Sequence, residues 1–261
     1  MINPTIFKQT MKNNRKLWLI FTIVLCALQL IFVTFFDSST LTGMENLVKG
    51  TPLENMLTQT SFLGMLAQTY YSIHGVIFPL IFVIMTANSL IAAQVDRGSM
   101  AYLLSTPTKR VTIVLTQAIY LVVALFAMIL LETIVGVFAI QLFQTDADVV
   151  INDFLLLNVG LFLLMFATSG ISFFFSSLFN LSKNSLAFGA GIPLAFFLCQ
   201  IVSTVDASLE NVKYVTINAL FDTKSIVAGN PEWWKFGILA LVGIVLFSAS
   251  VEVFKRKDLP L

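Results

Sequence analysis

Six stretches of this sequence are apolar for long enough to decide its class. They are Leu17–Phe36, Val76–Ala93, Ile113–Phe138, Phe154–Phe175, Leu186–Val205 and Phe236–Phe254. A helix rises about 1.5 Å per residue, and crossing the hydrocarbon of a bilayer takes roughly 17 to 25 apolar residues. Each run meets that length. The predicted fold is therefore an all-α membrane protein with six transmembrane helices in one domain spanning residues 1–261. Composition agrees: only 11% of residues are charged and 57% are hydrophobic, where a soluble domain carries about 25% charge. The third run continues to Phe143, which predicts a tilted or protruding helix. Pro193 predicts a kink in the fifth. The first run is too long for a signal-peptide core, and no small-x-small cleavage pattern follows it.

Lys and Arg set the orientation. With the N-terminus in the cytoplasm, eleven of the fifteen basic residues fall inside: Lys8, Lys12, Arg15, Lys16, Arg97, Lys109, Arg110, Lys183, Lys255, Arg256 and Lys257. Lys49, Lys213, Lys224 and Lys235 fall outside, together with ten of the fourteen acids. The positive-inside rule then places both termini in the cytoplasm. A net charge of +1 gives no bulk attraction to nucleic acid.

Residues 1–16 read as an amphipathic interfacial helix. Ile6, Phe7, Thr10 and Met11 share one arc, and Lys8, Lys12, Arg15 and Lys16 form a basic anchor on the other. Asn3 is its expected cap, with Pro4 at the first helical position. Two outer segments are long: Asp37 to about Ile73, and residues 206–234, which precede helix six. Both are apolar enough to dip into the interface or pack on the bundle. Trp233 and Trp234 sit where an aromatic belt would place them.

Chemistry has few candidates. The sequence has no GxxxxGK[ST], GxSxG or HExxH, so the chain carries no visible ATP site or hydrolase of its own. Cys26 and Cys199 lie inside apolar runs and suggest neither disulfide nor metal, and His74 stands alone. Glu132 is the sharpest feature, close to the outer boundary of helix three. Two readings stay open for it: a substrate or proton contact, or a carboxylate hydrated or hydrogen-bonded to a neighbour. His74 reads as interfacial. Gln117, Tyr120, Gln141 and Asn158 read as ties between helices. Glu252 is spaced to pair with Lys255 and Arg256.

The stretch "QVDRGSMAYLLSTPTKR", residues 94–110, separates the second and third runs. Gly98 should break the exit from helix two. Met100, Leu103 and Leu104 share one face of a short helix. Thr106 and Pro107 are placed to start helix three. An apolar face on a cytoplasmic loop suits either the membrane surface or a groove on a partner.

This loop resembles the cytoplasmic loop of the type-2 permeases of ATP-binding-cassette exporters. Those carry a Gly followed by "LLS-x-P-x-x-R"; here Gly98 precedes Leu103-Leu104-Ser105-Thr106-Pro107-Thr108-Lys109-Arg110. The N-terminal helix, six spans and long segment before helix six are similar too. Gln94 departs from the Glu common in the family. The resemblance implies that Asp96, Arg97, Gly98, Met100, Leu103, Leu104, Pro107 and Arg110 form a coupling element. They would dock a separate ATPase subunit, which would hold ATP and Mg, so this chain would need no cofactor. It also implies a second permease chain, as a homo- or heterodimer. Relatives in Gram-positive bacteria export peptides or drugs, some conferring multidrug resistance, and a hydrophobic or amphipathic peptide or drug is the favoured cargo. The alternatives are a secondary transporter and a non-transport membrane scaffold or enzyme. Both are disfavoured by the lack of a clear repeat and of paired intramembrane ionisable groups.

Overall fold

A computed structural model describes residues 2–36, 61–144, 151–205 and 215–258, together with Thr40 and Gly43. Every regular element among the described residues is helical. Six helices are long and apolar enough to cross a membrane: Pro4–Phe35, Phe62–Asp96, Arg110–Phe143, Ile151–Leu178, Ser182–Ser203 and Trp233–Arg256. They are helices one to six below. Large apolar side chains such as Ile23, Phe138 and Leu241 stand exposed on their outer faces, which is tolerable only where lipid replaces water.

Helix one begins as the sequence predicts. The Asn3 side chain accepts from the Thr5 and Ile6 N–H groups at 3.0 and 3.3 Å, and Pro4 opens the helix. No boundary separates an interfacial helix over residues 1–16 from the first span: helix one runs unbroken for 32 residues. The junction has neither Gly nor Pro. Local amide bonds support it, from Gln9 to Asn13 and from Asn14 to the Thr10 carbonyl. The rod is about 48 Å long, so its basic first turns stand clear of roughly 30 Å of hydrocarbon.

The apolar arc of those first turns meets helix three as well as lipid. Ile6 and Thr10 are buried, whereas Met11 is exposed. Thr10 Oγ1 donates to Gln117 Oε1 at 3.0 Å, the Asn3 N–H donates to Thr116 Oγ1 at 3.1 Å, and Phe7 packs edge-on to Tyr120. Further along, Trp18 Nε1 donates to the Ala124 carbonyl at 2.8 Å. At the far end Gln144 Nε2 donates to the Val33 and Phe36 carbonyls, capping helix one. Helices one and three thus run parallel in a register held from end to end.

Helix two starts at Phe62, not Val76, capped by the Ser61 side chain. The polar residues that interrupt its hydropathy cost little, because Thr69 and Ser72 return their hydroxyls to the helix's own carbonyls. Over Ala67–His74 it widens into a π-helix. It breaks again at Ile91 (φ −128°, ψ −69°), where Ser176 of helix four splices it. The Ser176 hydroxyl donates to the Ala87 carbonyl at 2.8 Å, and its oxygen accepts the Ala92 N–H at 3.0 Å.

Helix five is interrupted at Ala190, one turn before the expected kink residue. Pro193 has no N–H for the Gly189 carbonyl, and Ser172 of helix four donates to that carbonyl at 2.7 Å instead. Residues 215–232 fold back onto the end of the bundle away from the basic residues. They form a 3₁₀ turn, Ile217–Leu220, and a short helix, Thr223–Val227, capped by Asp222, with Phe221 buried beneath. Lys235 of helix six binds Asp222 at 2.9 Å. Trp233 and Trp234 are exposed at this level, as an aromatic belt requires. The remainder of the two expected outer segments, residues 37–39, 41–42, 44–60 and 206–214, lies outside the described residues.

Candidate functional site

The basic end of the bundle carries the loop singled out in the sequence. Helix two stops at Asp96 and helix three starts at Arg110. Gly98 adopts φ +71°, a left-handed conformation that most side chains resist, and so turns the chain as expected. Met100–Leu104 forms the expected short helix, but its apolar face points inward. Met100 is fully buried, and Leu103 and Leu104 pack half-buried against the core. Bundle surface lies within reach, so burial there removes these side chains from water. They seat the loop on its own bundle. What the loop presents outward is Tyr102, 79% exposed, with Arg97, Ser105, Thr106, Pro107 and Lys109 around it. Thr106 does not cap helix three: its hydroxyl donates back to the Leu103 carbonyl at 2.6 Å, and Lys109 precedes the first helical residue.

Two of the expected coupling residues hold the loop in place. The Asp96 carboxylate accepts the Ser182 N–H at 3.2 Å, and Asn88 donates to Ser182 Oγ at 2.8 Å, which clips the loop's root to helix five. Arg110 donates to the Lys257 carbonyl at 3.0 Å. Lys257 in turn donates through Nζ to the Ser177 and Phe179 carbonyls at the end of helix four. Burial pushes the Lys257 ammonium down to about 8, while the two carbonyls favour its charged form. Among the described residues the Arg97 and Tyr102 side chains have no hydrogen-bond or ion-pair partner. Lys8, Lys12, Arg15 and Lys16 are exposed on helix one at the same end. Glu252 pairs with Lys255 and Arg256 as its spacing predicts.

A second polar feature lies inside the bundle. Glu132 is fully buried and is the only Asp, Glu, Lys or Arg so placed among the described residues. Tyr70 Oη donates to its Oε1 at 2.7 Å, and Oε2 has no partner among the described residues. Gln29 of helix one is also fully buried, with neither amide atom partnered. Its Nε2 lies 3.0 Å from where a Cβ on Gly136 would sit, one turn beyond Glu132 on helix three. The next residue in the π-helix, Tyr71, accepts a hydrogen bond from Asn158 of helix four at 2.8 Å. Adjacent tyrosines thereby bind two different helices. The sequence marked Glu132 and Asn158. It missed Tyr70, Tyr71 and Gln29, whose traces are a Tyr-Tyr pair in a helix-prone stretch and one Gln in an apolar run.

Six helices long and apolar enough to cross a membrane, with an exposed basic loop at one end and a buried polar cluster between them, define a multi-pass membrane protein. The chain matches the ABC-2 family transporter protein family over residues 7–259 and belongs to it. It is a permease subunit of an ATP-binding-cassette transporter, multi-pass in the cell membrane, and family membership pairs it with an ABC ATPase subunit. No curated protein matches the chain.

Proposed function

We propose that this subunit serves an exporter whose basic end faces the cytoplasm, and that the loop of residues 94–110 takes up the thrust of a separate ATPase holding ATP and Mg. The observation that carries this reading is the loop's construction. Met100 and Asp96 root it in the bundle, while Tyr102 and Arg97 stand outward without partners among the described residues. An element anchored on one side and exposed on the other can pass a push from a docked protein to helices two, three and five. The contact surface is thus Tyr102, Arg97 and Pro107, with Gly98 setting its angle. Met100, Leu103 and Leu104 are its foundation. A second permease chain, identical or related, completes the pathway. The basic turns of helix one suit the anionic cytoplasmic leaflet. The apolar spans suit an amphipathic peptide or hydrophobic drug as cargo.

The test is co-purification with the cognate ATPase, followed by ATPase assays across peptides, drugs and lipids. Tyr102→Ala combined with Arg97→Ala should lower ATPase retention at least tenfold while the permease still inserts and elutes as a monodisperse species. Undiminished retention would sink the docking assignment. Stimulation by neither peptides nor drugs would remove the cargo assignment.

A further inference from the structure

The interior of the bundle holds one acidic side chain, Glu132, with no basic side chain beside it among the described residues. The ion pairs among the described residues join Lys235 to Asp222 and Glu232, and Lys255 and Arg256 to Glu252. None reaches Glu132, whose one bound oxygen is served by a neutral phenol. A carboxylate has room for about four hydrogen bonds, and here a whole oxygen is left over. Both atoms of the neighbouring Gln29 amide are also left over. Buried polar side chains in membrane helices ordinarily find partners. Three atoms without a partner among the described residues, on two fully buried side chains of parallel helices in fixed register, leave hydrogen-bonding capacity for a ligand.

The surroundings indicate what kind of group that is. Aromatic rings crowd this level of the bundle. Tyr70 lies 5.7 Å from Phe32 and 5.2 Å from Tyr71 between ring centroids, and Tyr71 contacts Phe154. Phe154 also lies over Gly136, where a Cβ would run into its ring. Ring faces attract cations, and a carboxylate attracts them more strongly. Neither welcomes an anion.

We propose that Glu132, Gln29 and the rings of Tyr70, Tyr71 and Phe32 form a receptor for a single positive charge on an amphipathic cargo. This inference rests on the exporter reading and sharpens it: the cargo class is the hydrophobic cation, such as a basic amphipathic peptide or a lipophilic ammonium compound. The site is closed in this structure. It opens when Phe154 of helix four, which packs over Gly136, draws away from the paired helices one and three, and the charge then meets Glu132 Oε2 and the Gln29 carbonyl oxygen.

A pair of hydrophobic ions of nearly equal size and opposite charge tests this. Tetraphenylphosphonium and tetraphenylborate are titrated into the full-length protein purified in neutral detergent. Binding is read from the thermal melting shift, with the protein alone and with its ATPase. Wild type should be stabilised by tetraphenylphosphonium and not by tetraphenylborate. Glu132→Gln, which keeps shape and the Tyr70 hydrogen bond, should bind the phosphonium at least tenfold more weakly. Tyr70→Phe, which keeps the ring and removes the hydrogen bond that favours the ionised carboxylate, should weaken phosphonium binding less than Glu132→Gln does. Equal stabilisation of wild type by both ions, or undiminished phosphonium binding by Glu132→Gln, overturns the proposal. If Glu132→Gln does not fold, the wild-type comparison decides it: equal stabilisation by the two ions overturns the proposal. Retention of the ATPase in the same samples reports separately on the exporter reading. Retention without ion selectivity refutes the receptor alone, and failure of the ATPase to associate refutes the exporter reading.

Discussion

Two residues apart on one short helix, Met100 and Tyr102 are divided between the inside and the outside of the molecule. The i, i+3, i+4 pattern of Met100, Leu103 and Leu104 was legible in the sequence as an apolar face. What that face covers was not, because a spacing rule fixes which residues point together and not which surface they meet. The distinction has a measurable consequence. Met100→Ala should remove a fully buried side chain and lower stability by about 2–5 kcal/mol, read as an earlier thermal unfolding midpoint in detergent. Tyr102→Ala should leave that midpoint unchanged. Equal effects would mean that the loop lies differently. Glu132 was legible as a candidate for a similar reason: a lone acid in an apolar run stands out. Its partner Tyr70 is 62 residues away, and no local pattern announces a contact of that kind.

Helices one and three are continuous, whereas helices two and five are interrupted, and the interruptions follow rules that the sequence only half reveals. Pro193 predicted trouble in helix five, and the break appears one turn earlier, at the carbonyl that proline leaves unserved. Ile91 carries no such signal. Its break is possible because a hydroxyl from another helix supplies both the donor and the acceptor that the backbone gives up. Replacing Ser176 with Ala should therefore leave an acceptor and a donor unpaired in an apolar setting, at about 1–3 kcal/mol each. Hydrogen exchange should show the Ala92 amide losing protection while amides in helix one keep theirs. Unchanged protection at Ala92 would mean that helix two closes the gap by itself. The early start of helix two was hidden for a related reason. Thr69 and Ser72 look hydrophilic in a list of residues, yet in the helix their hydroxyls are already bound to its own backbone.

Among the described residues the molecule has a basic end and a tryptophan-bearing end, and this polarity was the most legible property of the sequence. It makes a firm expectation for the membrane. In a background lacking Cys26 and Cys199, cysteines placed at Lys12 and Lys255 should react with an impermeant thiol reagent only after the inner face is opened. One placed at Trp234 should react in intact cells; the reverse pattern would invert the assigned orientation. The parallel pairing of helices one and three adds a consequence for motion. Hydrogen bonds at Thr10, Trp18 and Gln144 fix the two rods at a constant offset, so they behave as one stiff beam. On the coupling reading, a displacement delivered at Arg110 would be carried toward Glu132, 22 residues and about 33 Å further up the same rod. Helices two and five, each cut and bridged by a serine of helix four, bend where the beam cannot. On that reading helices one and three would act as a piston rod, and helices two and five as a jointed sleeve beside it.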